Sequence, residues 1–144
     1  PKEPVVFEAL TDWTTNSNDL IKYYSGTAVY KSSFKLDAAP DGNHILIDLG
    51  DFVAMARVKV NGQDAGGLWT APYTLDITDL VKAGDNEVEI EVVNTWLNRL
   101  IGDLNLPEAK RTTWAAINSW KADSPLQKAG LFGPVVIESV DYAE

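Results

Sequence analysis

The chain has 144 residues, of which 45% are hydrophobic and 23% charged, the composition of an ordinary globular domain large enough to bury its own core. Its formal net charge of −9, with acids spread along the chain, disfavours binding to nucleic acid or anionic membranes and favours a neutral partner such as an uncharged glycan. The absence of cysteine excludes disulfides, thiolate zinc sites and cysteine nucleophiles.

Segments of alternating apolar and polar residues recur along the chain and predict β-strands with one buried face. In FVAMARVKV, for example, the alternation assigns Ala54, Ala56, Val58 and Val60 to the buried face. The predicted strands, in chain order, are TAVYKSSFKL (27–36), HILIDL (44–49), FVAMARVKV (52–60), YTLDIT (73–78), NEVEIEV (86–92) and one near PVVIESV (134–140).

The breaks between these segments carry turn residues. Asn61-Gly62 is the pair that a tight two-residue hairpin prefers. Residues 78–82 predict one helical turn, capped by Thr78 or Asp79 and ended near Gly84, and 103–118 has room for a short helix. Many short strands at this spacing predict an all-β fold, an antiparallel β-sandwich or jelly roll with long irregular loops.

Two regions lack the alternation, residues 12–26 and 94–133. The second begins with NTWLNRLIGDLNLP (94–107), which has no repeating period. Its aliphatic content favours packing, so we expect a loop held against the sandwich by apolar side chains, with Arg99 and Asp103 as an internal ion pair. The apolar side chains concerned are Trp96, Leu97, Leu100 and Ile101. Direct contact with a sugar is the open alternative.

Aromatic residues bordering the irregular segments are the candidate binding residues. Trp and Tyr rings stack on the C–H faces of sugars, while amides, guanidinium groups and carboxylates bond sugar hydroxyls. In β-sandwiches such recognition residues gather in loops at the ends of the sheets. The candidates for carbohydrate or interdomain contact are Trp69, Tyr73, Trp96, Asn98, Arg99, Asp103, Trp114 and Trp120.

Catalytic and metal chemistry have little support in the sequence. The single His44 opens a strand, and the row Glu87, Glu89 and Glu91 alternates with apolar residues as a solvated sheet face does. No catalytic residue and no cofactor is therefore expected. A structural calcium ion is the open alternative, because a cluster of oxygen-bearing side chains precedes the first strand. Its members are Asp12, Asn16, Asn18 and Asp19.

Four short motifs occur in order along the chain: G-x-A-x-Y-x-x-x-F at Gly26–Phe34, V-x-V-N-G at Val58–Gly62, D-I-T at Asp76–Thr78 and G-x-N-x-[VLI]-x-[VLI] at Gly84–Ile90. This series resembles the sugar-binding-type β-sandwich of glycoside hydrolase family 2. The later segments TWLNRLIGDLNLP, RTTW, W-x-x-x-S-P-L and GLFGPVVIES resemble the sandwich of family 106 α-L-rhamnosidase-like proteins. Together the resemblance covers nearly the whole chain from about Asp12.

The resemblance implies a galactose-binding-like jelly roll that is a non-catalytic part of a larger, periplasmic or extracellular bacterial glycoside hydrolase. The catalytic carboxylates of such enzymes lie in a separate barrel of about 250 residues, for which this chain has no room. The resemblance therefore implies one domain over 1–144, excised from a larger protein, with the catalytic domain of the same polypeptide and carbohydrate as partners. The alternative is an autonomous carbohydrate-binding module for a neutral or plant cell-wall glycan.

Overall fold

The computed structural model describes residues 3–116 and 119–141, and most of the ordered elements in this part of the chain are strands. The strands are β1 (Gly26–Leu36), β2 (His44–Asp48), β3 (Asp51–Phe52), β4 (Met55–Val60), β5 (Gln63–Leu68), β6 (Thr74–Asp76), β7 (Gly84–Asn94), β8 (Leu131–Gly133) and β9 (Val136–Val140). The helices are α1 (Asp19–Lys22) and α2 (Leu97–Leu104), with single 3₁₀ turns at Trp13–Thr15, Thr78–Leu80 and Glu108–Lys110.

The strands pair antiparallel in sheets of the order β1-β7-β4-β5, β6-β2-β9 and β3-β8. The longest pairing joins β1 to β7, from Gly26 opposite Asn94 to Leu36 opposite Gly84. One core cluster contains side chains from all three sheets, among them Ile47, Phe52 and Val58. This arrangement confirms the predicted all-β antiparallel sandwich.

The alternation identifies the buried faces correctly except where a strand is interrupted. Ala56, Val58 and Val60 of β4 are fully buried, as expected. Ala54 was expected on the same face and is instead exposed, because the chain turns between β3 and β4 and Ala54 adopts a positive φ of 64°. FVAMARVKV is therefore two strands joined by a tight turn, and this part of the prediction is wrong.

The turn at Asn61-Gly62 forms as predicted. Both residues have positive φ, 50° and 79°, which is the backbone of a type I′ hairpin between β4 and β5. The 3₁₀ turn at Thr78–Leu80 also forms, but its cap is neither Thr78 nor Asp79. The N-cap residue is Ile77, and Asp76 of β6 supports the turn from outside, since its Oδ1 accepts a hydrogen bond from Thr78 N at 2.9 Å.

Within residues 94–107, where a loop was expected, Leu97–Leu104 form the helix α2. α2 is eight residues long and presents Leu97, Leu100, Ile101 and Leu104 at the i, i+3, i+4, i+7 spacing of one helix face. Asn98 and Asp103 are also buried, which hides this period in the sequence. Of the short helix predicted within 103–118, the described residues contain a single 3₁₀ turn, and residues 117–118 lie outside the described part.

Candidate interaction site at the loop end

The polypeptide between β7 and β8, residues 95–130, contains α2, and we call it the α2 excursion. Its ends are joined, because Gly130 N donates a hydrogen bond to Asn94 Oδ1 at 2.8 Å. Its middle is fastened by Asn98, whose Nδ2 donates to Gln127 O at 2.6 Å and whose Oδ1 accepts from Gln127 N at 2.9 Å. The Asn98 side chain is buried and both ends of its amide are used inside the excursion.

Asp103 fastens a second part of the excursion to α2. Its Oδ2 accepts hydrogen bonds from the backbone N–H groups of Thr112 and Thr113, each at 2.7 Å, and from their hydroxyls at 3.1 and 2.8 Å. Its Oδ1 lies 2.7 Å from Arg99 Nη2, which confirms the predicted internal ion pair. Burial raises the pKa of the Asp103 carboxyl, but the hydrogen bonds from Thr113 and Thr112 outweigh that effect, so its pKa falls below the ordinary value.

All four tryptophans predicted as contact residues face solvent. The exposed fractions are 85% for Trp114, 72% for Trp96, 68% for Trp69 and 43% for Trp120. The expectation that Trp96 holds the segment against the sandwich is wrong, because Ile101 is the buried apolar anchor of α2. Trp96 lies at the N-cap of α2, and Trp114 directly follows the threonine pair held by Asp103.

The excursion thus unites six of the eight predicted site residues, and the other two lie elsewhere in the chain. Trp69 and Tyr73 belong to the connection between β5 and β6. Tyr73 is half-buried and its ring centroid lies 4.5 Å from that of Phe52, so it packs against the core. Its role in the fold is structural.

Sequence reasoning misses the residues that hold the excursion in place. Thr112 and Thr113 precede Trp114 in RTTW, but only the fold brings them to the carboxylate on α2. Trp13 is the buried tryptophan, with its ring stacked on Tyr30 at 6.1 Å between centroids. The backbone N–H of Trp13 donates to Ala129 O at 3.0 Å, so the irregular segment before β1 supports the return of the excursion to the sandwich.

Three of the four side chains considered for calcium, Asp12, Asn16 and Asn18, accept hydrogen bonds from backbone N–H groups. Asp12 Oδ1 accepts from Thr14 N at 2.9 Å and from Ala129 N at 3.2 Å, while Asn18 Oδ1 caps α1 by accepting from Leu20 N at 3.0 Å. Among the described residues there is no group of three or more His, Cys, Asp or Glu side chains placed to hold a metal ion. The same part of the chain contains no helix of the length and apolarity that a membrane crossing requires.

The other ion pairs among the described residues lie at the surface. His44 lies at the start of β2 as expected, with its Nδ1 2.6 Å from Asp76 Oδ2. The pKa of Asp76 falls to about 2, chiefly through the Thr78 hydroxyl and amide and then through His44. Glu89 lies on the outer face of its sheet and pairs with Lys31 Nζ at 2.7 Å, which agrees with the predicted solvated glutamate row.

A groove of about 830 Å³ runs between residues 3–10 and β1. Phe7 and Leu10 line it on one side, and Tyr30 and Phe34 line it from β1. All four side chains are only partly exposed and pack against the hydrophobic core clusters. The groove is therefore the line along which residues 3–10 pack on β1, and its lining side chains belong to the edge of the hydrophobic core.

Comparison with known proteins identifies the family to which the chain belongs. The sequence pattern described as "Glycosyl hydrolase 2 galactose-binding domain-like" matches residues 9–126. A putative beta-glucuronidase of Formosa agariphila is 37% identical to the chain over 158 aligned positions, which cover 92% of this chain and 14% of that protein.

Comparison with solved structures supports the same relationship. A rhamnosidase from Novosphingobium sp. PP1Y superposes with a TM-score of 0.82 at 42% identity, over 89% of this chain and 12% of that one. A beta-glucuronidase of Ruminococcus gnavus shares the fold, with a TM-score of 0.56 at 21% identity, over 64% of this chain and 16% of its own. The chain spans less than a sixth of the Formosa and Novosphingobium proteins that it resembles. It belongs to the family of glycosyl hydrolase 2 galactose-binding-like domains.

Proposed function

We propose that this chain is an accessory sandwich of a larger, exported glycoside hydrolase, and that its α2 excursion docks on the catalytic part of the same polypeptide. The relatives support the class of the parent protein, since they include a rhamnosidase and glucuronidases of which the matched domain is a small part. Domains joined in one polypeptide meet at a high effective concentration, so even a modest interface keeps them together.

The observation that carries the proposal is the pair of exposed indoles on a fastened segment. Trp114 is 85% exposed and Trp96 is 72% exposed, although Asp103 and Asn98 fix the backbone around them. Exposed apolar patches, unlike single scattered apolar residues, mark interaction surfaces. Tryptophan is also among the residues that carry most of the binding energy in interfaces.

Footprinting of the full-length parent protein with hydroxyl radicals tests the docking. Trp69 is a matched control, since it is 68% exposed but lies outside the α2 excursion. We expect Trp69 to be oxidised readily while Trp96 and Trp114 are protected in the native protein. Oxidation of Trp114 as fast as Trp69 would show that the excursion faces solvent in the parent and would refute the docking.

An autonomous carbohydrate-binding module remains the second candidate, because the same exposed indoles offer flat faces to sugar rings. In that case Trp96 and Trp114 are the stacking residues. Titration of the full-length protein with neutral and plant cell-wall oligosaccharides, followed by tryptophan fluorescence, checks it. A response that Trp114→Ala abolishes and Trp69→Ala preserves supports the module, and the lack of any response at millimolar sugar refutes it.

A further inference from the structure

Charge is divided unevenly between the α2 excursion and the rest of the chain. Residues 95–130 contain five Lys or Arg and three Asp or Glu, whereas the rest contains seven basic and eighteen acidic residues. The excursion is thus net positive, at +2, in a chain whose remainder is at −11. The basic residues of the excursion are Arg99, Lys110, Arg111, Lys121 and Lys128.

The polar side chains of α2 that a sugar would need are engaged within the excursion. Asn98 and Asp103 are 4% and 2% exposed, and both hold backbone segments, Asn98 through its whole amide and Asp103 through Oδ2, while Asp103 Oδ1 pairs with Arg99. Asn105 Nδ2 donates to Ile101 O at 3.1 Å and to Ala122 O at 3.2 Å. Glu108, Asp123 and Gln127 of the excursion are also exposed, but the excursion is net positive and the indoles of Trp96 and Trp114 are the most exposed large apolar side chains of its described part.

The backbone before Trp114 is held in place by side chains of α2. The carboxylate of Asp103 holds Thr112 and Thr113 by four hydrogen bonds, and Arg99 Nε donates to Thr112 Oγ1 at 3.0 Å. The backbone that leads into Trp114 is ordered before any partner arrives. Association therefore loses less conformational entropy than it would from a flexible loop.

The structure points to an acidic face on the catalytic part of the parent protein as the partner of this surface. The inference rests on the proposed function and adds the chemistry of the contact: Trp96 and Trp114 insert as apolar anchors, and Lys110, Arg111 and Lys121 align with carboxylates around them. Trp and Arg are enriched at the centres of interfaces, and complementary charge at the rim fixes orientation. The partner lies in the same polypeptide, because most of each relative's length is outside the matched region.

The test is the rate of Trp114 oxidation in the full-length protein as charge and salt are varied. Lys110→Glu with Lys121→Glu reverses the charge of the surface, and Lys35→Glu is the matched control, an exposed lysine of β1. At low ionic strength we expect the double reversal to raise the oxidation rate about fivefold or more and the control to leave it unchanged. Salt at about 0.5 M, which shortens the screening length to a few ångströms, should raise the wild-type rate in the same direction.

The tryptophans are tested separately. Trp114→Ala should expose Trp96 to oxidation in the full-length protein, whereas Trp69→Ala should leave Trp96 protected. The salt series uses the unaltered protein, so it decides the electrostatic part even where a variant fails to fold.

The outcomes distinguish the inference from the proposed function. Protection of Trp114 that is insensitive to both salt and charge reversal overturns the acidic partner and leaves the docking intact. Protection that appears only when an oligosaccharide is added, neutral or uronic, identifies the surface as a glycan site and overturns the inference. If Trp114 is oxidised rapidly under every condition, the docking itself is refuted.

Discussion

Gly102 is the position where α2 touches the segment before β1, and a single methyl group there tests that packing. A Cβ built on Gly102 would lie 2.6 Å from Cγ, 2.7 Å from Cβ and 2.9 Å from Cδ1 of Tyr23. These are the atoms at the base of the tyrosine side chain, and Tyr23 is the C-cap residue of α1. The ring therefore cannot turn aside without displacing the backbone of α1.

Two effects oppose each other in Gly102→Ala. Alanine is favoured over glycine inside a helix by about 1 kcal/mol. Forcing an extra methyl group into a packed contact costs about 1–3 kcal/mol. Because three atoms at the base of Tyr23 are overlapped, we expect the steric cost to lie in the upper part of that range, at about 2–3 kcal/mol, and the free energy of unfolding to fall by about 1–2 kcal/mol. That loss corresponds to a fall in Tm of about 3–6 °C.

Chemical and thermal unfolding followed by circular dichroism measure this difference. Gly67→Ala is the control, because Gly67 has no positive φ and its Cβ would meet other atoms no closer than 3.7 Å. Tyr23→Ala combined with Gly102→Ala should cost less than the sum of the single substitutions, since the clash disappears with the ring. An increase in Tm for Gly102→Ala would show that α2 does not pack on Tyr23 and would refute the reasoning.

Further predictions concern the fastening of the excursion and the surface pairs. Asp103→Ala removes a charged acceptor from the partly buried N–H groups of Thr112 and Thr113 and should cost about 1–3 kcal/mol, with faster hydrogen exchange at these two amides while the core of the sandwich stays protected. Gly130→Ala should destabilise the chain by a comparable amount, because the new Cβ meets Trp13 Nε1 at 2.7 Å on backbone with φ of +103°, and denaturant unfolding measures it. The Asp76 carboxyl has a folded pKa of about 2 against an ordinary 3.8, so the stability that it adds is present above about pH 4 and is lost as the pH falls through 2. Since Asp76 is exposed, that contribution is about 1 kcal/mol at most, and Asp76→Asn should flatten the acid limb of the stability curve by this amount. EDTA should leave Tm unchanged, because three of the four side chains considered for calcium are engaged in caps and turns, and a fall in Tm that calcium reverses would contradict this.

Most of the sandwich can be predicted from the sequence, because its strands are buried on one face and alternate with period two. The Asn61-Gly62 hairpin can be predicted for a local reason, since few residue pairs tolerate two successive positive φ values. Ala54 is the exception, because it lies in the turn between β3 and β4. A tight turn of two residues leaves the period of FVAMARVKV nearly undisturbed, so the pattern alone does not reveal it.

The candidate site is less predictable, because residues that the sequence suggests for ligand contact are buried in the fold and one that it suggests for packing is exposed. In the sequence Asn98 and Asp103 resemble ligand-binding groups, whereas in the fold they are buried and hold backbone segments by hydrogen bonds. Trp96 resembles an anchor and is exposed. Whether a polar side chain is satisfied internally depends on backbone groups far away in sequence, such as Gln127 for Asn98, and no local pattern carries that information.

The hydrogen bond between Asn94 and Gly130 has an evolutionary consequence. It brings the exit from β7 and the entry to β8 side by side, so the sandwich is closed at the base of the excursion whatever lies between. The entropy of closing a loop grows only slowly with its length, by about 0.6 kcal/mol for each doubling. The excursion is thus an exchangeable cassette: descendants of one sandwich can lengthen, shorten or replace it to fit different catalytic neighbours while the strand register stays the same.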